Sequence, residues 1–313
     1  MSATAAVVVD RPVVNAMSVD VEDYFQVSAF DGVVPRSAWE TRESRVVRNT
    51  ERLLAIFDQH AVRGTFFVLG WVAERFPALL RTIAAAGHEI ASHGYGHGLV
   101  YDQSREAFRE DIRRSKAVIE GACGVHVRGY RAPSFSITRR SLWALDVLID
   151  EGFEYDASIF PIHHDRYGIA ASPRFPYRVE RDAGSLIELP GSTVALGALN
   201  LPVGGGGYFR LLPYAWTRHG IARLNRQDRQ PAVFYIHPWE VDPAQPRISV
   251  GWLTRFRHYR NLDRTEARLH RLLRAFPFAP VRDVLMAAAP ALSAFDLAEA
   301  PRLPASRAAE ARL

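Results

Sequence analysis

Residues 13–23 read VVNAMSVDVED, a valine-rich apolar run that ends in three carboxylates within four residues. Its apolar, β-branched part predicts a buried strand over residues 13–20. Alternation along a strand places Asp20 and Glu22 on one face and turns Asp23 away, if the strand extends that far. Because carboxylates this close repel one another, we expect either a bound cation beside them or an acidic loop in solvent.

Six more short apolar runs follow, and segments of helical period lie between the earlier ones. The predicted strands are 13–20, 64–69, 88–92, 127–131, 153–156, 186–189 and 232–237. The predicted helices are 47–60, 72–86, 104–121 and 138–152. This alternation is typical of βα units and predicts an α/β fold.

Composition and charge narrow the class of protein. The 313 residues are 48% hydrophobic and 23% charged, which is typical of a soluble globular enzyme and excludes a disordered, fibrous or membrane-spanning chain. The formal net charge of +5 comes almost wholly from arginine, since Lys116 is the only lysine. The arginines are scattered among acids, except for a denser stretch over 247–274. We therefore expect a solvated basic surface and no nucleic-acid partner, with a membrane surface or lipid-linked glycan as the alternative partner of that stretch.

Cysteine content and the N-terminus bear on location. Cys123 is the only cysteine, which excludes an intrachain disulfide and a zinc site built on thiolates. Residues 1–15 lack the basic-then-apolar order of a signal peptide, because Asp10 and Arg11 interrupt the apolar run. No apolar stretch reaches the roughly 18 residues that a membrane span needs. These features predict a cytoplasmic protein without a transmembrane segment.

A histidine pair follows the third predicted strand, within residues 92–97, SHGYGH. Histidines four residues apart can bind one metal ion, and the two glycines between His93 and His97 favour a tight loop that turns both rings toward one point. Two histidines and one carboxylate form a three-ligand set that leaves a position open for water, as in catalytic zinc sites. A remaining carboxylate is then available as a general base.

Three further polar residues stand at the ends of predicted strands. Arg131 is positioned to pair with Asp20, which would keep that carboxylate ionised. His237 ends the last strand, and Asp156 would accept a hydrogen bond from it and raise its pKa. For each residue taken singly, a structural salt bridge or core hydrogen bond is the alternative. Together they indicate a catalytic site at the carboxyl ends of parallel strands.

In this order, the motifs resemble those of the polysaccharide deacetylase family, carbohydrate esterases of the family 4 type that share the NodB homology domain. The matching positions are Asp20 with Glu22 or Asp23, His93 to His97, Arg131 to Pro133, Asp156, and Tyr235 to His237. Five stretches are similar to a narrower branch, the deacetylases encoded in exopolysaccharide gene clusters of bacteria with the exosortase/PEP-CTERM system. These stretches are 18–25, 129–135, 205–210, 237–240 and 257–259.

The resemblance implies a distorted (β/α)7 barrel over about residues 13–285. Within it, an extension would be interleaved at about 160–230 and 240–285. Residues 1–12 would form an N-terminal tail, and residues 286–313 are expected to be a disordered tail. The chain departs from the family at Gly94, where Ser or Thr is usual, and at Tyr235, where leucine lines the acetyl pocket.

The resemblance also implies an activity, the metal-dependent removal of N-acetyl groups from a sugar of an exopolysaccharide or its lipid-linked precursor, with release of acetate. The implied cofactor is a divalent ion, zinc, and the implied partner is an N-acetylated glycan. The implied roles are metal binding by His93, His97 and Glu22 (with Asp23 as the alternative carboxylate), general base for Asp20, general acid for His237 assisted by Asp156, and orientation of Asp20 by Arg131. The alternative functions are hydrolysis of a small cyclic amide or imide, as in allantoinase-like relatives, and carbohydrate binding without catalysis.

Overall fold

The computed structural model describes residues 12–299 and 301 of the chain. The strands are β1 (Asn15–Val21), β2 (Thr65–Val68), β3 (Glu89–Ser92), β4 (Gly129–Tyr130), β5 (Tyr155–Asp156), β6 (Tyr177–Arg181), β7 (Gly184–Glu188), β8 (Thr193–Leu196), β9 (Leu199–Pro202), β10 (Val233–Ile236) and β11 (Phe278–Ala279). The α-helices are α1 (Val46–Gln59), α2 (Gly70–Arg75), α3 (Pro77–Ala85), α4 (Arg105–Cys123), α5 (Trp143–Asp150), α6 (Gly206–Leu211), α7 (Tyr214–Arg223), α8 (Trp252–Tyr259), α9 (Leu262–Ala275) and α10 (Val281–Ala288).

Nine strands form one mostly parallel sheet, in the order β10-β1-β2-β3-β4-β5-β7-β6, with β11 also paired to β1. The exception is β6, which runs antiparallel to β7, and β8 with β9 forms a separate hairpin. Because β1 to β5 lie side by side in chain order, the carboxyl ends of these strands meet at one end of the sheet. The predicted α/β class is confirmed.

All seven predicted strands are present, as β1 to β5, β7 and β10. The predicted helix over 72–86 is wrong in one respect, since it is two helices, α2 and α3. Pro77 is the reason: it has no backbone N–H to donate within a helix, and it occupies the first turn of α3. The hairpin of β8 and β9 and the helices after residue 205 were not predicted.

The strand pairings do not by themselves close the expected barrel, because β10 and β6 are the two ends of the described sheet. Gly204 and Gly205 lie beside β10: the Tyr235 amide donates to the carbonyl of Gly204, and Gly205 forms a β-bridge with Tyr235. Glycine is needed there, because a Cβ on Gly204 would lie 2.4 Å from a carbonyl oxygen of β10. Gly204 and Gly205 therefore allow this segment to pack closely against β10.

The core lies between the sheet and the helices that cover it. α1, for example, buries Leu53, Ile56 and Phe57 on one face, and the ring of Phe57 lies 6.1 Å from that of Phe66 in β2. This apolar spacing was visible in the sequence. Among the helices of the described residues, none combines the length and apolar character needed to cross a membrane.

The expected disordered tail does not begin at residue 286. Ala294 pairs with a residue of β6, Leu297 is buried, and the ring of Phe295 packs edge-on against Tyr177 at 5.6 Å. An alanine- and proline-rich composition indicated a frayed end, but Phe295 and Leu297 find apolar contacts that hold this segment. The remaining residues of the two predicted tails, 1–11, 300 and 302–313, lie outside the described residues.

Candidate active site

Three side chains that follow β1 and β3 meet in one buried cluster. Glu22, His93 and His97 each offer a ligand atom, and these atoms all lie within 4.8 Å of one another. All three residues are buried. Nε2 of His97 lies 2.7 Å from Oε2 of Glu22, which has no other hydrogen-bond partner among the described residues. The sequence-predicted ligand set is therefore brought together in space.

The donor atoms fit a divalent metal ion. Nδ1 of His93 lies 2.8 Å from the Arg131 carbonyl oxygen, so an N–H there donates to the backbone and leaves Nε2 as a lone-pair donor. Nδ1 of His97 is buried and has no partner among the described residues. Burial lowers the pKa of His93 to about 4, so its ring is neutral near pH 7, the form that binds metal. Two imidazoles and one carboxylate are a typical donor set for catalytic zinc.

The loop that carries the histidines is held from α4. The carboxylate of Asp111 accepts hydrogen bonds from the amides of Tyr95, at 2.7 Å, and Gly96, at 3.3 Å. His97 has a φ of 54°, which turns its ring back toward His93, and such a conformation needs support from its surroundings. Asp111 supplies this support, a contact that no sequence pattern indicated.

Gly94 is required by the same arrangement. Its φ is 75°, and a Cβ there would lie 2.8 Å from Oδ2 of Asp111. The family motif usually has Ser or Thr at this position. In this chain the Asp111 carboxylate of α4 occupies the space that such a side chain would need. Ser115 adds a second contact, since its hydroxyl donates to the Gly94 carbonyl.

Asp23, the alternative metal ligand, faces away from the cluster. Oδ2 of Asp23 accepts hydrogen bonds from the Ser44 hydroxyl and from the amides of Arg45 and Val46 at the start of α1. The two carboxylates take different directions just after β1 ends at Val21. Glu22 turns inward there, and Asp23 caps a helix instead.

Asp20 and Arg131 form a buried ion pair, as the sequence predicts. Nη1 of Arg131 lies 2.6 Å from Oδ1 of Asp20 and also donates to the hydroxyl of Ser18. The other oxygen of Asp20 lies 3.9 Å from Nε2 of His237. One oxygen of Asp20 is therefore bound to the guanidinium of Arg131, and the second faces the cluster.

The predicted contact between Asp156 and His237 is wrong. Glu240 is the carboxylate beside His237: its Oε2 lies 3.2 Å from Nδ1 and accepts from the His237 amide. Burial lowers the pKa of His237, but the charges of Glu22 and Glu240 outweigh it and raise the pKa to about 9. The 3-10 turn that begins at Pro238 brings Glu240 back to His237. The sign of this contact in the sequence is a glutamate three positions after the histidine, in the stretch HPWE.

Asp156 lies away from His237. It stands opposite Glu188 on the neighbouring strand, because β5 pairs with β7. Burial raises the pKa of both carboxyls, and the charge of Asp156 raises that of Glu188 further, so the pair retains a proton. The hydroxyl of Ser158 donates to Asp156 and accepts from the Ala132 amide, next to Arg131. Asp156 thus supports the backbone around Arg131.

Trp239 and Arg210 complete the surroundings of His237. The Trp239 indole stacks on His237 at 5.1 Å and on His258 at 4.2 Å, and its N–H donates to Oε1 of Glu22. Nε of Arg210 lies 2.6 Å from Glu240. The side chain of His237 is 17% exposed, against 3% for Glu22, so the cluster opens to solvent on the His237 side.

Two family models match the chain. The model described as polysaccharide deacetylase matches residues 34–148, and the domain of unknown function DUF3473 matches residues 157–286. Among curated proteins, the chain is 32% identical over 98 residues to the peptidoglycan-N-acetylglucosamine deacetylase of Bacillus cereus, covering 31% of this chain and 36% of that protein. It is 31% identical over 109 residues to the chitooligosaccharide deacetylase of Rhizobium leguminosarum bv. trifolii, covering 31% and 51%. The chain thus spans between about a third and a half of these relatives.

Solved structures agree on the fold. A Mycobacterium smegmatis protein, named provisionally as a polysaccharide deacetylase, has a TM-score of 0.63 at 23% identity, covering 94% of this chain and 96% of that one. Puue allantoinase has a TM-score of 0.58 at 14% identity, covering 89% and 90%. At these identities the likeness concerns the fold alone. The family models and the curated relatives show that the chain carries a polysaccharide deacetylase domain over residues 34–148, followed by a DUF3473 region over residues 157–286.

Proposed function

We propose that the chain is a metal-dependent hydrolase that removes N-acetyl groups from a sugar of an exopolysaccharide or its lipid-linked precursor and releases acetate. The observation that carries this proposal is the position of His237 Nε2, which lies 3.5 Å from the metal-binding candidate Glu22 and 3.9 Å from Asp20. A proton donor, a proton acceptor and a three-ligand set therefore share one site. The two curated relatives described above are deacetylases by name, which supports the same chemistry.

Glu22, His93 and His97 would hold a divalent ion, which we propose is zinc. When bound, such an ion polarises a carbonyl group and lowers the pKa of water. The two histidines and the carboxylate satisfy the preference of zinc for nitrogen and oxygen donors, and the set leaves a position open. The Trp239 N–H on Glu22 and the Arg131 carbonyl on His93 would orient two of the three ligands.

Asp20 would act as the general base. Its ion pair with Arg131 orients the carboxylate, while its second oxygen faces the cluster. As water attacks the acetyl carbonyl carbon, this oxygen would accept the water proton. Arg131 is itself fixed by its contacts with Ser18 and the Ala157 carbonyl, so the base has one orientation.

His237 would act as the general acid. The carboxylate of Glu240 beside Nδ1 raises the pKa of His237 and so favours the protonated imidazole, while Nε2 is directed at the cluster. When the C–N bond breaks, Nε2 would give its proton to the leaving nitrogen, so that the products are acetate and a free amino sugar. An unprotonated amine leaves poorly, which is why the site needs this acid.

The glycan is proposed on two grounds. Named relatives act on chitooligosaccharide and peptidoglycan, which are N-acetylated glycans. The resemblance to the exosortase-locus branch supports an exopolysaccharide, and a cytoplasmic location, which we also propose, would make a lipid-linked precursor the accessible form. Tyr235 shapes the site next to His237, since the two rings lie 5.8 Å apart.

The proposal is tested by measuring acetate release from a panel of N-acetylated oligosaccharides, including lipid-linked ones, with allantoin as a cyclic-amide control. We expect acetate from at least one glycan and no ring opening of allantoin. Ring opening without acetate release would instead support an allantoinase-like activity. Saturable glycan binding by the zinc-loaded protein, without turnover of any substrate, would support a carbohydrate-binding protein.

A further inference from the structure

Helix α8 exposes an apolar face to solvent. Trp252 is 78% exposed, Phe256 48% and Leu253 40%. At about 100° per residue these three side chains lie on one side of the helix, and His258, which is buried, lies on the opposite side. Large apolar side chains grouped on a surface mark a contact with a partner or a membrane.

The charges in this segment of the chain have one sign. Residues 243–262 contain four arginines and no acidic residue. Arg255 and Arg257 flank the apolar face on its two sides, and Arg247 and Arg260 lie close by in the chain, all four exposed. None of these arginines forms an ion pair within the part of the chain that the structure describes. The face therefore combines exposed aromatic and aliphatic groups with unneutralised positive charge.

We propose that α8 docks the protein on the surface of an anionic lipid bilayer. A short helix with Trp, Leu and Phe on one side and arginines beside them matches an interfacial helix, whose apolar groups enter the headgroup region while the cations pair with lipid phosphates. A second copy of the chain would bring the same four positive charges against these four, so charge complementarity favours the bilayer. Docking of this kind requires no helix that spans the membrane.

The docking face is joined to the active site through the other side of α8. Nη1 of Arg210 donates to the carbonyls of Arg257, His258 and Arg260, while Nε of the same side chain binds Glu240. The His258 ring stacks on Trp239. A bilayer bound at α8 would therefore lie close to the catalytic cluster and next to a lipid-linked glycan. The docking itself does not depend on the proposed hydrolase activity.

The test is sedimentation of the full chain with vesicles of phosphatidylcholine alone and of phosphatidylcholine with phosphatidylglycerol in equal parts. We expect binding to the anionic vesicles only. Trp252→Ala with Phe256→Ala should reduce the partition coefficient about tenfold or more. Arg255→Gln with Arg257→Gln should reduce it about fivefold for each charge removed. The matched control, Leu196→Ala with Met286→Ala, removes exposed apolar groups elsewhere and should bind as the wild type.

The docking proposal can fail without any effect on the proposed hydrolase activity. Equal binding to neutral and anionic vesicles, or wild-type binding by both α8 variants, would overturn it. Light scattering would also overturn the docking proposal if it showed that the wild type is a dimer and that the variant with Trp252→Ala and Phe256→Ala is a monomer. The apolar face of α8 would then bind a second copy of the chain. The melting temperatures of the variants should equal that of the wild type, because the substituted side chains are exposed.

Discussion

The indole N–H of Trp239 donates a hydrogen bond of 3.1 Å to Oε1 of Glu22, whose other oxygen lies 2.7 Å from Nε2 of His97. Trp239 is itself held between His237 and His258 by stacking. One aromatic side chain thus positions a candidate metal ligand and the candidate general acid together. A substitution can therefore remove the N–H donor of Trp239 and keep an aromatic ring in the same place.

Trp239→Phe keeps an aromatic ring between the two histidines and removes the donor to Glu22. We expect zinc affinity to fall about 10–100-fold, the usual effect of losing an orienting contact on a ligand. Competition with a chromophoric chelator measures this affinity. Trp252→Phe, at the exposed tryptophan of α8, is the matched control and should bind zinc as the wild type does. Unchanged affinity in Trp239→Phe would mean that this hydrogen bond does not orient Glu22.

Glu240→Gln should lower the pKa of His237 by at least about one unit, because it removes a negative charge 3.2 Å from Nδ1. The imidazole pKa, about 9 in the wild type, can be followed by NMR in the metal-free protein. Asp156→Asn is the comparison, since Asp156 hydrogen-bonds near Arg131 and does not contact His237. If the pKa of His237 falls in Asp156→Asn but not in Glu240→Gln, the result would support the contact between Asp156 and His237 predicted from the sequence and contradict the role of Glu240.

Gly94→Ser restores the usual family residue and should nevertheless destabilise the protein by about 1–3 kcal/mol, since it adds a side chain at positive φ against Asp111. Asp111→Ala should lower zinc affinity about tenfold by loosening the histidine loop. In a double-mutant cycle the two changes should be less than additive, because removing the Asp111 carboxylate makes room for the serine. Additive losses in urea unfolding would show that Gly94 and Asp111 act independently.

His258 should make the stability of the protein depend on pH. Burial between Trp239 and Phe30 lowers its pKa to about 3, whereas an unfolded histidine titrates near 6.5. The unfolded chain therefore binds the extra proton between these values, and the free energy of unfolding rises with pH there by about 1.4 kcal/mol per unit for this group. His258→Phe should flatten the slope by nearly that amount between about pH 4 and pH 5.5, as measured by urea unfolding. Equal slopes in both proteins would contradict a neutral, buried His258.

Most of the residues that sequence reasoning found share one property, a position at or just after the carboxyl end of a strand. Asp20, Glu22, His93, Arg131 and His237 all meet at the carboxyl ends of parallel strands, where chain order alone predicts proximity. Glu240 was missed because its approach to His237 depends on a 3-10 turn, and Asp111 because α4 brings it from a distant part of the chain. Their contacts depend on packing rather than on local pattern.

The failed predictions have similar causes. Asp156 satisfied the pattern of a catalytic carboxylate, but its partner was decided by the neighbouring strand that carries Glu188. The tail after residue 286 had the composition of a frayed end, yet Leu297 finds a buried place. In each case a contact with a distant segment overrode the local signal. Sequence patterns therefore predicted the strands of the sheet and the proximity of Glu22, His93 and His97 better than they predicted the contacts that support them.

The most direct test of the central claim combines metal content with acetate release. The protein is stripped of metal, titrated with zinc, and assayed on an N-acetylated oligosaccharide at each step, beside Asp20→Asn. We predict that acetate release rises with zinc until about one ion per chain is bound, and that Asp20→Asn binds zinc equally well but loses at least about a hundredfold in rate. Full acetate release by the metal-free protein, or loss of zinc from Asp20→Asn, would contradict the roles assigned to Glu22, His93, His97 and Asp20.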